Sequence, residues 1–285
     1  MLRGAPRHTR VVYDVVNTSC SIAFQRFFMV YTVPSCGFAR CYVIAGSRGL
    51  MVVDPGSRGA ARAAARLIRQ ELGMPLTAVR YVAATHFHID HIGGMGPLLA
   101  ACGPETRLLF PPPVHDYLTG RRRLNRMAGW LSALPPVTLA AARGLRRLED
   151  ALPATLAGIP LPLLHRRTEL SFPVERCDFP RTGAGPPGFA DWEILATPGH
   201  TEDSTSFYSR ETAALICGDL ILHMKQDGRG VLNAFCWNRD VILDTLVRLR
   251  HTIAPRTVYP GHGEPWEGGE RMLDNIMLDN IVKQW

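Results

Sequence analysis

The sequence predicts an α/β fold: a sheet with helices packed on it, interrupted by a helical insertion. Three observations lead there. Short β-branched and aromatic runs alternate with an amphipathic stretch over the first 110 residues. The same alternation returns after residue 190. Between them the chain changes character and becomes rich in Pro, Leu, Ala and Arg. At 285 residues the chain can bury a large core, as one big domain or two smaller ones.

The elements follow in order. FFMVYTV (27–33), CYVIAG (41–46) and LMVVDPG (50–56), punctuated by Gly and Pro, read as a strand meander. Ser57 to Leu72 places Ala61, Ala65, Leu67 and Ile68 among charges, the pattern of an amphipathic helix. VRYVAAT (79–85) reads as a buried strand, Ile92 to Ala101 as a helix and RLLF (107–110) as a strand. In the middle, helical stretches are expected at 122–134 and 138–150, the first with Leu124, Met127, Leu131 and Leu134 on one face. That stripe suits packing on the main domain, a substrate lid, a dimer surface or a membrane-surface patch. Residues 173–190 read as a loop returning to the core. WEILATPG (192–199), STSFYS (204–209) and AALICGD (213–219) then read as strands. Asp240 to Thr252 is a helix, TVYPG (257–261) a strand, and Gly269 to Val282 a closing helix. The whole is expected to be one domain over 1–285, with 111–190 as the insertion.

Composition narrows the classes. With 46% hydrophobic and 20% charged residues the chain is of ordinary globular type. Its longest apolar runs, such as Leu220-Ile221-Leu222, are far too short to span a bilayer. MLRGAPRHTR carries positive charge without the apolar core of a signal peptide, so a cytoplasmic location is expected. Seven cysteines at irregular spacing, without a CxxC pair, argue against a disulfide framework, although Cys36 and Cys41 could bridge. The net charge of +7 is spread along the chain, with Arg121-Arg122-Arg123 making the middle basic. A charge of that size can draw anionic partners, but more commonly marks a solvated surface.

The chemistry concentrates in Thr85-His86-Phe87-His88-Ile89-Asp90-His91-Ile92-Gly93-Gly94. Four metal-binding side chains fall between a strand and a helix. At a strand end His86 and His88 point the same way, because side chains alternate with period two. A turn can then present Asp90 and His91 to a second position. Imidazole and carboxylate suit zinc and related divalent ions. His200 after ATPG, Asp219 after ALICG and His262 after TVYPG each stand where a later strand stops. Singly each has a bland reading, as a loop histidine or a helix cap; together they complete the ligands for two metal ions.

These segments, THFHIDHIGG, PGHT at 198–201, GD at 218–219 and PGHG at 260–263, with VVDPG at 52–56, resemble the metallo-β-lactamase superfamily in content and order. The resemblance covers roughly residues 27–110 and 190–265 and leaves the insertion without a counterpart. It implies a four-layer αβ/βα sandwich with the site at the edge between two sheets. It also implies one metal on His86, His88 and His200, a second on Asp90, His91 and His262, and Asp219 bridging them. Asp54 would orient a ligand histidine from behind. The ions would be zinc, with iron or manganese as alternatives. A metal-bridging hydroxide would attack a carbonyl, with Asp90 orienting the nucleophile or passing a proton to the leaving group.

Motif details narrow the substrate. An iron–oxygen flavoprotein would carry Glu in place of His88. Antibiotic-degrading members lack a bridging Asp, so Asp219 disfavours a β-lactamase. Acyl-homoserine lactonases resemble this set but place Tyr three residues after that Asp, where Leu222 stands here, followed by His223, a candidate substrate contact. Glyoxalase II shares all seven ligands, yet PGHGEPWEGG lacks its glutathione-binding continuation. The expectation is a dinuclear hydrolase of a small-molecule ester, thioester or lactone, with a hydrophobic acyl group beneath Met127 and Leu131. A homodimer is compatible with the insertion; nucleic acid is not an expected partner. The alternatives are a single-iron persulfide dioxygenase, a phosphodiesterase or nuclease, a β-lactamase, or a non-catalytic binding protein.

Overall fold

The computed structural model describes residues 29–34, 37–124, 152–159, 170–224, 229–269 and 271–278. The first sheet has six strands in the order β1-β2-β3-β4-β5-β6: β1 (Val30–Thr32), β2 (Tyr42–Gly46), β3 (Gly49–Val53), β4 (Val79–Ala83), β5 (Arg107–Leu109) and β6 (Cys177–Asp178). It opens as an antiparallel meander and turns parallel from β3 onward. The second sheet has five strands in the order β13-β12-β9-β8-β7, with β7 (Trp192–Ala196), β8 (Thr205–Ser209), β9 (Ala214–Gly218), β12 (Thr257–Pro260) and β13 (Trp266–Glu267). A small ribbon pairs β10 (Ile221–Leu222) with β11 (Val231–Leu232).

Strand alternation sorts the apolar residues into three cores. Tyr42, Ile44, Met51 and Val53 face Ile194, Phe207, Ala214 and Ile216 between the sheets. Val43, Leu50 and Val52 turn outward under helices α1 (Arg58–Arg66) and α3 (Met95–Ala101). On the far side, Leu215, Cys217 and Val258 pack against Ile242, Leu246 and Leu249 of α5 (Arg239–Thr252). The result is helix, sheet, sheet, helix. Strands buried on both faces explain the unbroken apolar runs YVIAG and ALICG.

Several boundaries differ from the sequence reading. The strand expected over 50–56 stops at Val53, because Asp54 turns left-handed (φ 54°) ahead of Pro55. In the helix over 57–72 the hydrogen bonding slips to a π turn at Leu67–Glu71. The helix expected from Ile92 starts earlier as α2 (Ile89–Ile92), and Gly93-Gly94 separates it from α3. There the Gly94 amide donates to the Pro55 carbonyl (2.6 Å), leaving no room for a continuous helix. A five-residue helix, α4 (Val114–Leu118), follows three prolines that hid it. The loop at 173–190 contains β6, which lines up on β5. The closing helix over 269–282 is replaced, in its described part, by a 3-10 turn at Met272–Asn275. Beyond it Met277 pairs with the ribbon, its amide donating to Gly230 and its carbonyl accepting from Leu232, which holds the backbone extended. Of the helix at 122–134, residues 122–124 are not helical; its remainder, with Met127 and Leu131, the helix at 138–150 and Cys36 lie outside the described residues. Cys41, Cys102, Cys177, Cys217 and Cys236 form no disulfide. No helix among the described residues is long and apolar enough to cross a membrane.

Candidate metal centre

The predicted ligands meet where the two sheets end side by side. The segment after β4 supplies His86 and His88 from a loop and Asp90 and His91 from α2, and the second sheet supplies His200 after β7, Asp219 after β9 and His262 after β12. Three overlapping groups have ligand atoms close enough to share an ion: His86, His88 and His200; His86, His91 and Asp219; Asp90, His91 and His262. In the first, His86 Nε2 and His88 Nδ1 are 3.0 Å apart, and His200 Nε2 is 3.2 Å from the same His88 nitrogen. In the last, His262 Nε2 lies 3.3 Å from Asp90 Oδ2 and His91 Nε2 lies 3.9 Å from it. Asp219 joins the two. Its Oδ2 is 3.4 Å from His200 Nε2 and 3.3 Å from His262 Nε2, while its Oδ1 is 3.3 Å from His91 Nε2.

The outward ring nitrogens fix the inward ones. His91 Nδ1 faces Asp54 Oδ2 (2.9 Å), His200 Nδ1 the Phe235 carbonyl (2.7 Å) and His262 Nδ1 the Phe38 carbonyl (3.0 Å). His86 Nδ1 meets Thr85 Oγ1 (3.0 Å), whose own hydroxyl donates to Asp54 Oδ2 (2.8 Å). Each acceptor holds a proton on Nδ1, so each Nε2 turns a lone pair to the interior. The Asp54 Oδ1 also accepts the Thr85 amide (2.8 Å), so one buried carboxylate anchors both ends of the histidine loop.

These donors fit divalent ions. A tetrahedral ion bonded at about 2.0–2.2 Å holds its donors roughly 3.3–3.6 Å apart. Most of the N···N and N···O separations above lie near that range, at distances where two lone pairs would otherwise repel. Moreover, His91 Nε2 and Asp219 Oδ1 are buried and have no hydrogen-bond partner among the described residues. The arrangement leaves a place for positive charge between them.

The electrostatics agree. Burial and the neighbouring imidazoles hold His86 far below its ordinary value, burial and His200 bring His88 down to about 3, and burial lowers His200. All three stay neutral, as ligands must. Burial would raise Asp90 and Asp219, but His91 and His262 outweigh it, so both carboxyls stay ionised. Burial would likewise lower His262, yet Asp219 and Asp90 lift it to about 10, and Asp219, Asp54 and Asp90 raise His91.

Packing leaves little freedom here. A Cβ on Gly261 would lie 2.1 Å from Asp219 Oδ1, so only glycine lets the β12 end pass that carboxylate. From the insertion side, Ile89 N–H donates to Gly158 O (3.1 Å) and Ala154 N–H to Gly93 O (2.7 Å), which lays residues 152–159 over the histidine loop.

A family model described as the metallo-beta-lactamase superfamily matches residues 34–109, the stretch that carries VVDPG and the HxHxDH loop. Over that stretch the chain is similar to the metallo-beta-lactamase superfamily. Among its relatives, the "Probable metallo-hydrolase YqjP" of Bacillus subtilis (strain 168) is 24% identical over 248 residues, covering 82% of this chain and 69% of that protein. The "Hydroxyacylglutathione hydrolase" of Francisella tularensis subsp. novicida (strain U112) is 28% identical over 93 residues, 33% of this chain. That match spans only 35% of the Francisella protein. The solved structure of TTHA1623 in a di-iron-bound form has the same fold, with a TM-score of 0.50 at 21% identity over 83% of this chain and 94% of that one.

Three residues at the site were not singled out by the sequence. Asn233 is buried; its Nδ2 donates to the Asp219 carbonyl (2.9 Å) and its Oδ1 accepts the Phe235 amide (2.9 Å), so it ties Asp219 to the acceptor of His200. Thr85 links Asp54 to His86. Asp203 accepts the Phe87 amide on Oδ2 (2.7 Å), holding the loop between His86 and His88. A buried Asn just after a two-residue strand and an Asp in a turn carry no pattern that separates them from ordinary polar residues. His223, the candidate substrate contact, donates its amide to the His262 carbonyl (3.1 Å). It stacks on Trp266 with centroids 4.7 Å apart, and its Nδ1 meets the Glu264 carbonyl (2.6 Å).

Proposed function

We propose that this chain is a dinuclear metal-dependent hydrolase acting on a carboxylic ester, thioester or lactone. The observation that supports it most is the Asp219 carboxylate, whose two oxygens lie 3.3–3.4 Å from imidazoles of both halves of the cluster. His86, His88 and His200 would hold one ion, Asp90, His91 and His262 the other, with Asp219 between them. Zinc suits this nitrogen and oxygen set; iron, present in the structurally similar TTHA1623, and manganese suit it as well. Bound divalent ions supply Lewis acidity, lowering the pKa of a coordinated water to about 7 and polarising a substrate carbonyl.

The chain's own residues do the rest. Asp90 and His262 are the open members of the cluster, 29% and 20% exposed, so substrate approaches from their side. Asp90, held ionised, can accept a proton on its carboxylate from the attacking water and return it to the leaving oxygen or sulfur. Asp219, nearly buried, keeps the two ligand groups in register. Neutral His86, His88 and His200 bring no positive charge of their own, so two divalent ions leave the centre electrophilic. The partial likeness to the Francisella hydroxyacylglutathione hydrolase favours acyl substrates. On this reading the chain is a cytoplasmic enzyme of one domain, and residues 111–190 shape the pocket.

Metal analysis of the purified protein beside an Asp219→Ala variant, followed by assays on p-nitrophenyl esters, acyl thioesters and lactones, tests this. Two ions per chain that fall on substitution, with hydrolysis lost in parallel, are expected. One iron per chain, insensitive to Asp219, would replace the hydrolase with an oxygen-dependent sulfur chemistry. Full metal without turnover of any ester, thioester or lactone would remove the carboxylic substrate class.

A further inference from the structure

A second set of polar groups converges at the other end of β4. Arg80 lies on that strand six residues before His86, roughly 20 Å away at the rise of an extended chain. Around it a cavity of about 200 Å³ is lined by Arg48, Arg80, Tyr81, Glu105, Arg107 and Pro187. The cavity is framed by tight backbone contacts. Ser47 in the β2–β3 turn donates its amide to the Gly188 carbonyl (3.0 Å), bringing Arg48 beside the loop that carries Pro187. A Cβ on Gly188 would lie 2.8 Å from Arg48 Cβ, and one on Gly49 would lie 2.8 Å from Arg80 Cγ. Both glycines have positive φ (93° and 137°), so each stem of the two arginines runs across bare backbone.

The heads are a different matter. Arg107 is paired with Asp178, through Nη2 to Oδ1 (2.6 Å) and Nε to both oxygens (3.2 Å). Arg48 and Arg80 have no ion pair or hydrogen bond among the described residues, and neither does the Tyr81 hydroxyl. Glu105, at the same rim, forms no ion pair with any of the three arginines. Burial, with Asp178 next, raises the Tyr81 phenol, while Arg80 and Arg107 act to lower it, which places both cations near that ring. Two guanidiniums with no partner among the described residues therefore line one small cavity together with Tyr81.

We propose that this cavity binds a phosphate-monoester or free phosphate dianion through Arg48, Arg80 and Tyr81. Guanidinium forks match phosphate oxygens two at a time, and Arg48 and Arg80 together outweigh the single Glu105 carboxylate at the rim. The volume is below the usual range for whole-ligand pockets, so it holds the anionic group and leaves the remainder of an esterified ligand outside. This site is separate from the metal centre and does not depend on the hydrolase reading.

The test is calorimetric titration of the full chain at fixed ionic strength with inorganic phosphate, glycerol 3-phosphate and dimethyl phosphate. Wild type, Arg48→Ala/Arg80→Ala, Arg48→Lys/Arg80→Lys and Asp90→Ala are compared. Phosphate also binds divalent metals, and the Asp90→Ala arm separates that event. Binding is expected to weaken about tenfold or more in the double alanine variant. The double lysine variant should fall between, and Asp90→Ala should leave this phase unchanged. Both arginines are exposed, and circular dichroism checks that the alanine variant keeps its fold. Preference for inorganic phosphate or for glycerol 3-phosphate identifies the free or the esterified ion as ligand. The proposal is overturned if wild type binds neither, if the alanine variant binds equally well, if the phase disappears only with Asp90→Ala, or if dimethyl phosphate, the model of a nucleic-acid backbone, binds best.

Discussion

Replacing Asp54 by Asn isolates the orientation of one ligand from the packing around it. Asn has nearly the volume of Asp and tolerates the left-handed backbone at this position (φ 54°). Its carbonyl oxygen can keep the Thr85 amide, now 2.8 Å from Oδ1. The new NH₂ then faces Thr85 Oγ1 and His91 Nδ1, at 2.8 and 2.9 Å in the native protein. A threonine hydroxyl can rotate away, but two N–H donors cannot share that gap. His91 is driven to protonate Nε2 instead, the atom that faces Asp219 Oδ1 at 3.3 Å. Such outer partners change metal affinity by roughly 10–100-fold. That corresponds to about 1.4–2.7 kcal/mol of lost metal-linked stability. For a chain of this size it lowers the metal-loaded melting temperature by roughly 2–5 °C. Competition with a chromophoric chelator reads the affinity, and thermal unfolding with and without metal reads the linkage. The metal-free melting temperature should move much less than the loaded one. Unchanged affinity in Asp54→Asn would refute the tautomer argument, and equal losses with and without metal would show a packing effect.

Three other substitutions probe the surroundings. Asp203 is buried and raised to about 6 by that burial, so the native state holds its proton more tightly than the unfolded chain. Its contribution therefore weakens stability as pH rises from about 4 through 6, and Asp203→Asn should gain up to about 3 kcal/mol over wild type at pH 8 but little at pH 4. Urea melts at the two pH values check this; a pH-independent difference contradicts it. Gly261→Ala puts a methyl against Asp219 Oδ1, and the expected outcome is loss of metal with a circular dichroism spectrum close to wild type. Asn233→Ala leaves the Asp219 carbonyl and the Phe235 amide without partners, at a cost of about 1–3 kcal/mol in urea unfolding together with weaker metal retention.

Much of this was legible because it is local. His86 and His88 lie two apart at a strand end, and His200, Asp219 and His262 each close a strand that announces itself by apolar residues. Elements of five or more residues with both faces buried declare themselves in the same way. What the sequence hides is set by distant partners. The two-residue strand β6 exists because β5 has an open edge to fill. Met277 is extended because the β10–β11 ribbon takes its backbone groups, against a helix-like local pattern. His223 follows Asp219 closely in the chain, and its ring stacks on Trp266, a contact no spacing could forecast.

The proposed ligand set is divided between the sheets: four side chains come from the loop and short helix after β4, and three from strand ends of the second sheet. Neither half owns a complete coordination sphere, and polar bonds cross the seam beside them. The Arg40 amide reaches the Gly261 carbonyl, the Tyr42 hydroxyl the Pro260 carbonyl, and the Thr205 amide the Thr85 carbonyl. With metal bound, the proposed centre would be a clasp as well as a reaction site. A chain caught with its halves apart would hold metal weakly, so an ion would discriminate the finished molecule from its folding intermediates.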